Sequence, residues 1–131
     1  MSETLAQLGE EEILNRLKKF MPQGQIDDDT AEIDPLNNKL LINTDVLVEN
    51  IHFSTRTICA KDIGWKAIAT NFSDLASSGV DRIIGITVGL ITSPSTSWDW
   101  VNEVYEGMKE ALDIYGGTLL GGDCSSGNEK I

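Results

Sequence analysis

The sequence predicts an α+β domain, a mixed sheet with helices on one face. Stretches with apolar residues at helical spacing are interspersed with short runs rich in Leu, Ile and Val, in no strict β-α-β rhythm. At 131 residues, 40 % hydrophobic and 24 % charged, the chain can bury one ordinary core without staples.

In residues 9–20 the apolar positions Ile13, Leu14, Leu17 and Phe20 recur at helical spacing, and Pro22 with Gly24 ends the segment. Asp27-Asp28-Asp29-Thr30 is a polar patch leading into a short extended stretch, with a turn at Asp34-Pro35-Leu36-Asn37-Asn38. Residues 39–49 read as a strand of Leu, Ile and Val interrupted by Asn43-Thr44-Asp45.

Residues 62–78 give the clearest helix. Trp65, Ile68, Phe72, Leu75 and Ala76 form its apolar stripe, and Gly79 is a natural stop. Ala67, Asn71, Asp74 and Ser78 make a neighbouring face that is small and polar, open to close approach. Residues 82–92 read as a strand, followed by a loop through Pro94. Ser97 caps a helix whose core face uses Val101, Val104, Tyr105, Met108 and Leu112, ended by Gly116-Gly117. Residues 118–120 form a short strand running into a turn at Gly121-Gly122-Asp123.

The net charge of −11 argues against nucleic acid and anionic membranes, whose phosphates are held by basic patches. An acidic chain still binds phosphates where divalent cations bridge the two, and acidity that serves only solubility is the competing reading. No apolar run approaches a membrane span, and the N-terminus lacks a secretory pattern, so a cytoplasmic location is expected. Cys59 and Cys124 form neither a metal-ligand spacing nor a disulfide framework, and both are expected to be reduced.

The carboxylates sit at element boundaries or on unusual faces. Asp27, Asp28 and Asp29 repel one another unless a cation or a basic partner is near; a solvated loop is the plainer reading. Asp45 interrupts an apolar strand, where a carboxylate must point outward, be paired or bind metal. An edge-strand bend explains it equally well. Asp74 lies well inside a packed helix, and Gly121-Gly122 offers a backbone that can approach phosphate next to Asp123. His52, the sole histidine, is either a surface residue or a phosphate contact or acid–base group. Trp98 and Trp100 read as packing residues. A Walker loop, a kinase Gly-rich set and a G-x-G-x-x-G are all absent, so any nucleotide is bound by another design.

Together, Asp28-Asp29-Thr30-Ala31, the run Thr44-Asp45-Val46-Leu47-Val48-Glu49-Asn50-Ile51-His52-Phe53, Gly64-Trp65-Lys66-Ala67 with Asn71-Phe72-Ser73-Asp74-Leu75, and Gly121-Gly122-Asp123 carry a resemblance. In this order they resemble the N-terminal domain of the thiamine-monophosphate kinase family, within the aminoimidazole-ribonucleotide synthetase-like ATP-binding superfamily. The resemblance implies that Asp29, Thr44, Asp45, Asp74 and Asp123 are magnesium ligands and that His52 contacts thiamine monophosphate. It further implies that Tyr105, Gly122 and Asp123 lie against ATP, with the γ-phosphoryl group passing directly to the substrate. Phosphoryl transfer needs positioning and charge neutralisation more than a protein nucleophile, which suits this residue set.

Three departures stand out. Asp27 replaces a usual Gly, Asn43 replaces a common hydroxyl residue, and Cys124-Ser125-Ser126-Gly127 replaces the more usual Thr-Thr-Arg-Gly. The resemblance implies that residues 1–131 are the N-terminal magnesium- and ATP-binding domain, with the C-terminal domain absent and the chain alone inactive. It also implies a homodimer joined through the sheet. A non-catalytic nucleotide-, metal- or partner-binding domain is the alternative of a different class. Hydrogenase-maturation, selenophosphate-forming and purine-biosynthesis enzymes are the alternatives within the fold; His52-Phe53 after Leu47-Val48-Glu49 favours the thiamine branch.

Overall fold

The computed structural model of the chain describes residues 3–21 and 41–127. The helix expected over 9–20 is observed, with a separate helical turn in front of it. A one-turn helix α1 (Leu5–Leu8) precedes α2 (Glu10–Leu17), which tightens into a 3-10 turn at Lys18–Phe20. The break is Gly9, whose φ of 75° ends one helix and opens the next. Ile13 and Leu17 are buried, as their spacing predicts. This N-terminal arm docks on the loop before the last helix. Leu5 and Ala6 donate to the carbonyls of Thr96 and Pro94, and Trp98 donates to that of Glu3. Arg16 bonds Glu12 and Glu3 at 2.8 Å each and lies 5.4 Å over the Trp98 ring.

Two long helices make the core. Helix α3 (Ala60–Ser77) ends as Gly79 predicts: Gly79, at φ 77°, donates to Ala76 and Val80 donates to Leu75, tying off the last carbonyls. Helix α4 (Trp98–Tyr115) begins where Ser97 accepts the Trp100 N–H at 3.3 Å. The five predicted core positions of α4, Val101, Val104, Tyr105, Met108 and Leu112, are all buried. The helices touch backbone to backbone. A Cβ on Gly64 would fall 1.8 Å from the Val104 carbonyl oxygen, and one on Gly107 would fall 1.8 Å from that of Lys61. Glycine is required at both points of the crossing.

Strand β1 (Gly85–Thr92) pairs in parallel with β2 (Thr118–Ser126), and α4 forms the crossover between them. Ile86, Val88 and Leu90 of β1 pack toward the helices while Thr87, Gly89 and Ile91 are exposed, so the helices cover one face of the sheet. The α+β class with one-sided helices is therefore observed, and the sheet among the described residues is a parallel pair.

Two sequence expectations give way. Residues 41–48 form no strand. A strand exists by ladder bonds to a neighbour, and this segment is instead held by side-chain bonds to α3. Gly121-Gly122-Asp123 is not a turn but the middle of β2, just after a register irregularity between Ile86 and Thr87. A Cβ on Gly122 would fall 1.9 Å from the Val88 carbonyl oxygen, so the glycine serves the approach of the two strands. The Asp27–Asp29 patch and the turn at 34–38 lie outside the described residues.

Candidate functional site

An open cavity of about 1470 Å³ runs along the 41–55 segment, the side of α3 and both strands. Thr44, Asp45, Asn71, Asp123 and Ser125 supply part of its polar wall. Asp45 comes from the irregular segment and Asp123 from β2, so remote parts of the sequence meet on one cavity.

Asn71 organises the Asp45 side. It sits half-buried on α3, one turn after Ala67, and its amide nitrogen donates to the Ala67 carbonyl at 2.9 Å. That bond fixes its oxygen, which accepts the backbone N–H of Asp45 at 3.1 Å. Asn43 donates to the Asn71 backbone carbonyl at 3.0 Å, adding a second tie. The Asp45 carboxylate and Thr44 are left exposed. On the other side Asp123 is exposed at the register position opposite Gly89, and Ser125 donates to its carboxylate at 3.1 Å.

The remaining expected site residues are placed differently. Asp74 is exposed on α3 but is not part of the cavity wall. His52 is exposed on a turn at residues 48–53, next to cavity residues Glu49 and Phe53 but not among them. Tyr105, expected against ATP, is 3 % exposed and packs against Phe20 at 5.6 Å between ring centroids, which makes it a core residue. Burial pushes its phenol well above the ordinary value, and the nearby Cys124 adds to the shift. Gly122 is taken up by strand approach. Asp29 lies outside the described residues.

Among the described residues no group of three or more His, Cys, Asp or Glu side chains comes together as a metal site. The wall still matches magnesium in kind. That ion takes oxygen donors and keeps several waters beside one or two carboxylates and substrate phosphates, and Asp45 and Asp123 give two carboxylates on one cavity. A cation between an acidic wall and a polyphosphate offsets their mutual repulsion. In the sequence Asn71 stands on the small polar face and opens the Asn71-Phe72-Ser73-Asp74-Leu75 motif, with no role of its own; the signal for its role is an amide, able to donate and accept at once, on that face.

Residues 27–131 match the family model described as AIR synthase related protein, N-terminal domain. The chain is 60 % identical over 128 residues to the thiamine-monophosphate kinase of Prochlorococcus marinus, which covers 98 % of this chain and 38 % of that protein. It is 40 % identical over 123 residues to the thiamine-monophosphate kinase of Synechococcus elongatus, covering 93 % and 37 %. Among solved structures it is similar to the thiamine monophosphate kinase of Aquifex aeolicus, with TM-score 0.67 and 34 % identity over 79 % of this chain and 34 % of that one. A complex of AaThiL with AMPPCP and TMP is similar over 99 % of this chain and 41 % of that one, with TM-score 0.62 and 34 % identity. The chain thus spans well under half the length of these relatives.

Proposed function

The chain belongs to the AIR synthase related protein family through its N-terminal domain, and from that premise we propose that it forms the N-terminal half of a thiamine-monophosphate kinase. In this reading residues 1–131 are the magnesium- and ATP-binding domain, and a C-terminal domain outside them supplies the rest of the active site. The reaction is direct transfer of the ATP γ-phosphoryl group to thiamine monophosphate, giving thiamine diphosphate. The observation that carries the reading is the 60 % identity to a relative named for that activity, over nearly the whole chain. The AaThiL complex with AMPPCP, an ATP analogue, and TMP supports both substrates.

Each residue has a part to play. Asp29, Thr44, Asp45, Asp74 and Asp123 supply oxygen atoms for magnesium. Asp45 is held for this by Asn71 and Asp123 by the rigid pairing of β2 with β1. Magnesium, when bound, neutralises phosphate charge that an acidic wall would otherwise repel. Gly122 and Asp123 meet ATP, and Tyr105 backs that wall from the core, close to Cys124 beside Asp123. His52 meets the phosphate of thiamine monophosphate. The remaining work is alignment of donor and acceptor, which a fixed sheet and helix can perform.

The proposed assembly is a homodimer through the open sheet face, where Ile91 is 40 % exposed, together with the segment that shares its cavity, where Ile42 is 82 % and Val46 59 % exposed. The reading carries a cytoplasmic location, where ATP is available. No helix among the described residues is long and apolar enough to cross a membrane.

The test is to incubate the pure chain with magnesium, ATP and thiamine monophosphate and follow thiamine diphosphate. Binding of the magnesium–nucleotide pair without turnover is expected. Sustained product formation by the chain alone would overturn its role as one half of the site.

A further inference from the structure

The turn at residues 48–53 is an unusual piece of backbone. Asn50 adopts a left-handed φ of 64°, a conformation that costs energy in a non-glycine residue. The N–H groups of Ile51 and His52 both donate to the Val48 carbonyl, at 3.2 and 2.8 Å, and Asn50 donates to the Phe53 carbonyl at 2.7 Å. The His52 side chain folds back on the same turn, its Nδ1 accepting the backbone N–H of Val48 at 2.9 Å. One contact ties the exposed His52 to the long helix: the ammonium of Lys66, half-buried on α3, donates to the His52 carbonyl. A charge-assisted bond of this kind is about twice as strong as a neutral one.

We infer that Lys66 is a positioning residue that fixes the His52 imidazole as its Nε2–H tautomer, offering one N–H donor to an acceptor oxygen of a phosphate-ester ligand. A backbone N–H can only donate, so Nδ1 must keep its lone pair and the neutral ring carries its proton on Nε2. That leaves the exposed side of the ring with a donor and no acceptor. It suits a phosphate oxygen and disfavours a metal ion, which would need the Nε2 lone pair. Lys66 acts through the backbone: by holding the His52 carbonyl on α3 it keeps the turn closed, and so keeps Nδ1 within reach of Val48. The ligand half of this statement rests on the reading of His52 as the thiamine monophosphate contact; the tautomer half rests on geometry alone.

His52 is the only histidine in the chain, so its imidazole nitrogens give a unique pair of ¹⁵N resonances. The experiment records them without ligand at about pH 8.5, in the range where an unperturbed imidazole is neutral. In the wild-type chain Nδ1 and Nε2 are expected far apart, as acceptor and protonated nitrogens. In Lys66→Met they converge toward the average of a free imidazole, and Val48 amide exchange accelerates at least about tenfold. In Lys66→Arg the separation is kept. Averaged resonances in the wild type or in a folded Lys66→Arg overturn the inference, as does a folded Lys66→Met with the separation intact. Should Lys66→Met fail to fold, the wild type and Lys66→Arg decide. Because no ligand is present, the outcome is independent of whether thiamine monophosphate is the substrate. A missing Nε2 shift on adding thiamine monophosphate would count against that reading alone.

Discussion

The side-chain oxygen of Asn71 accepts the backbone N–H of Asp45 at 3.1 Å, joining the segment that carries Asp45 and Glu49 to the helix that carries none of the cavity's carboxylates. Replacing Asn71 with Ala removes this bond and the Asn71 contact with Ala67. A net loss of about 1 kcal/mol is expected, the usual worth of a hydrogen bond in a partly exposed setting. Urea unfolding would measure it, and amide exchange at Asp45 should rise while that of α4 stays unchanged.

Gly64 and Gly107 lock the crossing of α3 and α4 from opposite sides. Ala at either position puts a methyl group into a backbone carbonyl, which has less room to yield than a side chain. Gly64→Ala and Gly107→Ala should each cost at least about 1–3 kcal/mol by overpacking. The double variant should cost less than the sum, because the first already separates the helices. The urea midpoints of the three variants test both statements.

These glycines mark a limit of the sequence. Within a helical pattern a glycine reads as a small penalty, and nothing local tells that another backbone fills its place. Helix α4 was legible in full, because its cap Ser97 and its five apolar positions obey a local rule. The strand expected over 39–49 failed for the opposite reason. Leu41, Ile42 and Val46 have strand-like chemistry, but pairing is a property of the partner, and in the described residues the segment leans on α3 instead. Gly121-Gly122 has turn-like composition, yet close approach of Val88 makes the same residues a strand. The acidic positions were visible one by one. That Asp45 and Asp123 share a cavity could be expected only through the family resemblance, since no spacing rule links residues so far apart.

Tyr105 gives the fold a dependence on alkaline pH. Burial raises its phenol above the ordinary value of about 10. Above that pH the unfolded chain releases the proton while the folded chain keeps it, so this contribution to stability is present below about pH 10 and lost as pH rises toward the folded value. Stability curves at pH 8 to 11 should fall less steeply for Tyr105→Phe than for the wild type. Parallel curves would show that Tyr105 ionises as freely when folded.

The exposed Ile42, Val46 and Ile91 predict self-association. Light scattering at micromolar concentration should give twice the chain mass. Ile42→Lys with Ile91→Lys, which places charge on these exposed apolar positions, should shift the chain to monomer and remove any dependence of its urea midpoint on protein concentration. A wild-type monomer would require another cover for the face.

The most direct measurement replaces the corresponding segment of the Prochlorococcus marinus relative, 60 % identical, with this chain. Thiamine diphosphate formation from ATP and thiamine monophosphate is then followed with magnesium. The hybrid should turn over at a rate near the parent's, and Asp45→Asn in the hybrid should lower kcat by about 10²–10³, the cost of removing one group that stabilises charge in the transition state. A folded hybrid with no activity, or one in which Asp45→Asn leaves kcat unchanged, would contradict the account.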